Sequence, residues 1–223
     1  GRRNIVINGE MKVAQRATSA TGKTGGTSGY FALDRWKLQD GTIGTAGRCT
    51  IAQIADGPAG FANCLKISAT TADTSIDARE ALILQTRFEG QDLQQLKKGT
   101  ASAEQVTVSF YVKGNAAALY VCELHDVDNG RNNTQSFAVT TDWNRIELTF
   151  AADTSDPLDD DNAVSLSLNF WLHSGSNYSG GTFASNTWAD ITLANTTAVA
   201  NRTSIYDSTN RTFFLTGVQM EIG

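Results

Sequence analysis

An unbroken alternation of apolar and polar residues runs from Val106 to Lys113 and stops at Gly114-Asn115. A period of two sends Val106, Val108, Phe110 and Val112 to one face and Thr107, Ser109, Tyr111 and Lys113 to the other. The first row is the core face of a β-strand, and the second meets solvent, a partner or a ligand. Residues 163–173 repeat the pattern, with Val164, Leu166, Leu168, Phe170 and Leu172 opposed to Ser165, Ser167, Asn169, Trp171 and His173. Stretch 144–150 sets Ile146, Leu148 and Phe150 against Arg145, Glu147 and Thr149. Stretch 118–126 sets Tyr120, Cys122 and Leu124 against Val121, Glu123 and His125.

Further strands are predicted at 48–55, 61–69 and 80–88, and from Thr212 to Ile222, where Gly217 is a candidate bulge. Residues 4–16 read as a short strand, Ile5-Val6-Ile7, and a turn at Asn8-Gly9. Residues 17–29 read as a flexible loop, and 182–210 as a long loop or insertion. The helical fragment is 92–97, where Leu93 and Leu96 share a face and Asp92 suits the N-terminal end. No linker divides the chain, so a single domain over 1–223 is expected, with 1–40 as first strands or an arm and 41–223 as a sandwich. The pattern predicts an all-β, antiparallel fold.

Composition agrees. Of 223 residues, 40% are hydrophobic, 18% are charged and 20 are glycine, which suits short strands and many turns. A net charge of -5 argues against a nucleic-acid partner, and the Arg2-Arg3 and Lys97-Lys98 runs are too short to reverse that. No apolar run is long enough to span a membrane, so no membrane insertion is expected, and the first residues lack the apolar core of a signal peptide. Cys49, Cys64 and Cys122 read as buried free thiols. If Asp56-Gly57-Pro58-Ala59-Gly60 turns a hairpin, Cys49 and Cys64 come near one another on its strands.

Some motifs are near misses. Ala17 to Thr24 has the G-K-T end of a phosphate-binding loop, but Gly25, Gly26 and Gly29 oppose the helix that such a loop must open. Asp126-Val127-Asp128-Asn129-Gly130 reads as a solvated turn, one residue short of a calcium loop. The acidic loop at 153–161 leaves a structural calcium at Asp159, Asp160 and Asp161 as an alternative to plain solvation. No other cofactor is expected. His125 and His173 lack metal-pair spacing, and no nucleophile-elbow motif occurs.

The opening Arg3-Asn4-Ile5-Val6-Ile7-Asn8-Gly9-Glu10-Met11 with Gln15-Arg16, then Tyr30 with Leu33-Asp34-Arg35-Trp36, resembles the start of a domain of bacteriophage tail-fibre and other virion appendage proteins, cyanophages included. The stretches Leu84-Gln85, Phe88-Glu89-Gly90, Trp143 and the closing Leu215 to Gly223 fit the same pattern. The second half resembles jelly-roll carbohydrate-binding modules. The resemblance implies a jelly-roll β-sandwich on the virion, a homotrimer, with a bacterial surface polysaccharide or lipopolysaccharide as partner. It lacks the E-x-D-x-x-E carboxylates of jelly-roll glycosidases, so the chain is read as non-enzymatic.

A sugar site needs an aromatic face flanked by short polar side chains. The candidate glycan-binding residues are therefore Tyr111, Asn169, Trp171, His173 and the loop residue Tyr178. If the two alternating strands share a sheet, Tyr111 and Trp171 floor one groove. The polar rows are equally readable as subunit contacts. Trp36, Trp143 and Trp188 are expected to anchor the core or sheet edges. The alternatives to receptor binding are a structural fibre or head-decoration module and a polysaccharide depolymerase.

Overall fold

In the computed structural model, which describes residues 4–41 and 44–223, twelve strands form two antiparallel sheets. In chain order they are β1 (Ser19–Lys23), β2 (Lys37–Asp40), β3 (Arg48–Ile54), β4 (Cys64–Thr71), β5 (Ala81–Glu89), β6 (Val106–Gly114), β7 (Ala118–Asp126), β8 (Arg131–Val139), β9 (Asn144–Phe150), β10 (Val164–Ser174), β11 (Ala189–Asp190) and β12 (Thr212–Ile222). The first sheet runs β1-β3-β4-β12-β6-β9 and the second β11-β8-β7-β10-β5-β2. The chain crosses between them at β1–β2, β2–β3, β4–β5, β5–β6, β6–β7, β8–β9, β9–β10 and β11–β12, which is the winding of a jelly-roll sandwich. The Arg2-Arg3 run and the first residue of the opening motif lie outside the described residues.

The alternating rows dictate this packing. Val108, Phe110 and Val112 of β6 face Leu168, Phe170 and Leu172 of β10 across the sandwich, all fully buried. Phe110 meets Phe137 and Phe170 edge-on at 5.1 and 5.0 Å, and Tyr120 meets Phe213 at 5.6 Å. Each such ring contributes about 1.5–3 kcal/mol through burial alone. Gly217 carries the expected bulge. Its φ is +61°, and the β6–β12 register shifts between Thr216 and Gln219.

Several expectations are corrected. Residues 19–23 of the supposed loop form β1 against β3, so no phosphate cradle exists there. Ile5-Val6-Ile7 is not a strand. It is held by Ile5 N–H donating to the Met220 carbonyl, and by Asn4, whose Oδ1 accepts from the amides of Val6 and Met220. The segment at 92–97 is two 3-10 turns, Gly90–Asp92 and Gln94–Leu96, and the one α-turn among the described residues, α1, is Ser176–Ser179. Strand β8 was not expected, because Arg131-Asn132-Asn133-Thr134-Gln135-Ser136 carries no apolar alternation. The β3–β4 hairpin forms, but Cys49 pairs with Ala69 and Cys64 with Ile54, so the two thiols sit at opposite ends. All three cysteines are free and buried. Burial pushes Cys49 up to about 11 and Cys64 up to about 12.

Candidate functional site: the outer face of the second sheet

Strand register arranges the outward side chains of the second sheet in three rungs. The first is Arg87, Ser167, His125 and Asn132, and the second is Lys37, Gln85, Asn169, Glu123 and Thr134. The third is Gln39, Ile83, Trp171, Val121 and Ser136. Directly opposed side chains across a sheet lie about 5 Å apart, close enough to bond.

In the second rung they do. Glu123 Oε2 accepts from Asn169 Nδ2 at 2.9 Å and from Trp171 Nε1 at 2.6 Å, and its Oε1 accepts from Asn132 Nδ2 at 2.8 Å. Asn169 Oδ1 accepts from Gln85 Nε2 at 2.8 Å, and Gln85 Oε1 accepts from Arg87 Nε at 2.7 Å. The chain of bonds fixes each amide's orientation and ties the carboxylate to an exposed guanidinium. Glu123 and Asn169 are each 2% exposed, although they stand on an outer face. A carboxylate this buried without donors would cost several kcal/mol, and here three donors supply the compensation.

The rungs differ in access. The third is roofed by the segment after β10, where Tyr178 of α1 packs on Trp171 with ring centroids 5.2 Å apart and planes tilted by 48°, and Phe183 and Val199 pack beside them. The expected insertion at 182–210 is thus ordered over the sheet, with β11 pairing to β8. The first rung is open at Arg87 and His125 and closed at Ser167 and Asn132. Arg87 is exposed, His125 is half-buried, and Ser167 Oγ between them is buried with no hydrogen-bond partner among the described residues. Burial and the neighbouring Arg87 both lower the Lys37 ammonium from its usual range, so two like charges are held close on this rim.

His173 plays another part. Its Nδ1 lies 2.8 Å from Ser204 Oγ and its Nε2 3.3 Å from Glu80 Oε2, beneath the returning chain. Burial lowers it to about 4. Burial, reinforced by Asp73, raises Glu80. This imidazole pins the roof to β10 and does not reach the open rung.

Tyr111 is elsewhere. β6 and β10 lie in different sheets, so Tyr111 and Trp171 are on opposite outer faces and share no groove. On its own face Tyr111 packs on Phe61 at 5.4 Å, and Lys113 sits 5.0 Å from the rings of both Trp143 and Phe214 while pairing with Asp56 at 3.0 Å. Trp36 is fully buried, and Trp143 and Trp188 are half-buried at sheet edges.

The calcium expectation also moves. Asp159, Asp160 and Asp161 are exposed, and no group of three metal-ligating side chains converges among the described residues. The converging oxygens lie nearby, around an ammonium. Lys98 Nζ is 2.6 Å from Asp126 Oδ2, 3.1 Å from Asp153 Oδ2, 3.1 Å from the Ser155 carbonyl and 2.7 Å from the Asp156 carbonyl. Two carboxylates and two carbonyls are what a hard cation takes, and a lysine supplies the charge. Asp126, expected in a solvated turn, is fully buried here. Burial alone would raise Asp153, but hydrogen bonds from Arg131, the Ser155 amide and Lys98 hold its carboxyl below the usual range.

No protein-family model matches this chain, and no curated protein does. Among solved structures the chain is similar to a family 11 carbohydrate-binding module from Clostridium thermocellum in complex with a β-1,3-1,4-mixed-linked tetrasaccharide. Identity there is 14% and the TM-score 0.44, over 95% of this chain and 96% of that one. It is similar to TmCBM61 in complex with β-1,4-galactotriose, at 10% identity and TM-score 0.45, over 99% of each chain. It is also similar to the enzymatically active domain of bacteriophage CBA120 tailspike protein 4, at 12% identity and TM-score 0.46, over 99% of this chain and only 21% of that one. Identity and score are too low for any of them to say what this chain binds.

Sequence reasoning found Asn169 and Trp171 on one row but missed Gln85, Arg87, Lys37 and the central place of Glu123. Gln85 and Arg87 are the outward positions of β5, alternating with Leu84 and Phe88, so their direction was readable. Their adjacency to β10 was not, since β5 and β10 are 75 or more residues apart in pairing, as Glu89↔Val164 illustrates.

Proposed function

We propose that this chain is a non-catalytic carbohydrate-binding domain whose ligand lies on the open rungs of the second sheet. The observation that carries the reading is the hydrogen-bonded row Arg87–Gln85–Asn169–Glu123–Trp171, whose buried amides and carboxylate form a rigid floor that holds the exposed Arg87 guanidinium in fixed orientation. Saccharides are polyhydroxylated, and a guanidinium preset on such a floor avoids part of the ordering cost of binding them. Asn169 holds the centre, Trp171 positions Glu123, and Tyr178 closes one end. Glu123 is saturated by three donors and nearly closed to water, which supports a positioning role beneath the ligand over acid or nucleophile chemistry.

The finer reading places the domain in a homotrimeric virion appendage that engages a bacterial surface polysaccharide or lipopolysaccharide. Its support is the resemblance of the N-terminal motif. Retention of the folded chain in gels containing soluble polysaccharides, together with adsorption to whole cells, tests both levels. A folded chain retarded by no polysaccharide would falsify the glycan reading.

A second reading, a subunit contact, applies to the other outer face. Its support is the half-buried group Phe61, Tyr111, Trp143 and Phe214, with the Trp143 indole N–H buried and without a hydrogen-bond partner among the described residues. Sedimentation of Tyr111→Ala against the parent chain tests it, and an unchanged oligomeric state argues against it.

A further inference from the structure

The opening motif divides into residues the fold consumes and residues it leaves free. Asn4 ties the N-terminal segment to β12. Asn8 Nδ2 donates to the carbonyls of Val13 and Asp34, and its own carbonyl accepts from Trp36 Nε1. A Cβ on Gly9 would stand 2.0 Å from the Val218 carbonyl oxygen. These residues have packing reasons to be what they are. Arg16, Tyr30 and Arg35 have none, since their side chains make no hydrogen bond among the described residues. Instead, with the exposed Ile7 and Val13, they line a groove of about 470 Å³. Arg35 holds φ at +71°, a conformation costly for a residue with a Cβ, at the rim of that groove.

The groove is continuous in charge with the open rung. Arg35 and Arg87 line one smaller cavity together with Ile5 and Ile7. Arg87 in turn repels Lys37 on the adjacent strand. Arg16, Arg35, Arg87 and Lys37 thus form a band from the N-terminal groove, over the β2–β5 edge, to the first rung. None of the four is ion-paired to a carboxylate among the described residues, although Asp34, Glu89 and Asp92 line the same cavities. A chain of net charge -5 that gathers unpaired cations on one edge leaves them for an anion from outside.

We propose that this band takes the acid groups of an anionic polysaccharide, uronate- or sulfate-bearing, with Tyr30 as the apolar platform for a sugar ring in the groove and Arg87 holding an acid group on the sheet. The proposal rests on the carbohydrate-binding reading and narrows it. A guanidinium pairs with carboxylate or sulfate in a bidentate fork, and Tyr30, 36% exposed, offers a ring face to sugar C–H groups.

The test uses the full chain with polygalacturonate, dextran sulfate, mixed-linkage β-glucan and inorganic polyphosphate as probes. Binding to the acidic polysaccharides should exceed that to the neutral glucan and weaken steeply between low salt and about 1 M, where the screening length falls to about 3 Å. Arg16→Gln and Arg87→Gln should each weaken acidic-glycan binding about tenfold, the worth of one charge-assisted bond. Lys66→Gln, on the opposite outer face, should bind as the parent does. Thermal unfolding of each variant checks that it is folded, and Tyr30→Ala gives a loss that charge alone would not produce. Equal affinity for neutral and acidic glycans overturns this inference and leaves the carbohydrate-binding function standing. Binding of polyphosphate as tightly as polygalacturonate, or equal losses in Lys66→Gln, also overturns it. Failure to bind any polysaccharide removes the function itself.

Discussion

The two outer faces of the sandwich start from the same sequence pattern and end differently. On the first sheet, the row Thr107, Ser109, Tyr111 and Lys113 meets Thr149, Arg145 and Gln219 in bonds that are exposed or half-exposed, and its larger side chains pack as ring–ring and ring–ammonium pairs. On the second, the row from Ser165 to His173 is almost wholly buried, and its central members bond to one carboxylate. Polar alternation alone does not distinguish them. What separates them is the neighbouring strand: β7 places Glu123 beside β10, whereas β12 places Phe214 and Thr216 beside β6. A buried charge demands fixed partners, so one face is rigid and polar and the other is adaptable and aromatic.

The largest loss expected lies off both faces, at the buried ammonium of Lys98. Lys98→Ala leaves Asp126 and Asp153 without their ammonium and should cost about 3–5 kcal/mol in denaturant unfolding. Lys113→Ala on the first sheet, whose partner Asp56 is exposed, should cost about 1 kcal/mol or less. Comparable losses would show that burial does not set the worth of these ion pairs. Next in size, Glu123→Ala orphans the donors of Asn132, Asn169 and Trp171, and should destabilise by about 3 kcal/mol. Thr107→Ala, its counterpart, should fall within about 0.5 kcal/mol of the parent.

Titration sharpens the same comparison. His173 is neutral in the fold with its proton affinity lowered to about 4, while the unfolded chain protonates near the ordinary histidine value. The unfolded state therefore binds more protons between those values, and stability falls as pH drops from about 6.5 to about 4. The full histidine contribution is about 3 kcal/mol. Glu80, with its carboxyl raised, works the opposite way and reduces the net slope. His173→Gln should flatten the stability profile across that window. A profile unchanged by the substitution would show that the roof is not pinned by a neutral imidazole. A modest effect is expected of Gly217→Ala. Its Cβ would approach Phe61 at 2.8 Å at a left-handed φ, for a loss of about 1–2 kcal/mol at the bulge.

Much of the fold was legible because period-two alternation reports burial directly. β7 and β9 matched the stretches 118–126 and 144–150, and β12 matched Thr212 to Ile222. β8 was invisible because its outward positions are Asn132, Thr134 and Ser136 and its inward row opens with Asn133 and Gln135, so neither row is apolar at its start. The N-terminal segment misled for the opposite reason. Ile5 and Val6 look like a strand, yet side-chain bonds from Asn4 and Asn8 take the backbone partners a strand would use. The site was half legible. Asn169 and Trp171 could be placed on one face, but which sheet received Tyr111, and which acid met Asn169, depends on long-range pairing that no local pattern encodes.

The four indole N–H groups give the most direct test of the central claim. Trp171 Nε1 donates to Glu123 on the second sheet, Trp143 lies on the first, Trp36 is in the core and Trp188 bonds the Ala151 carbonyl. In a proton–nitrogen correlation spectrum titrated with a polysaccharide that the chain binds, the Trp171 indole resonance should shift in proportion to saturation while that of Trp143 stays still. Movement of Trp143 with Trp171 unmoved would place the ligand on the first sheet and contradict the account.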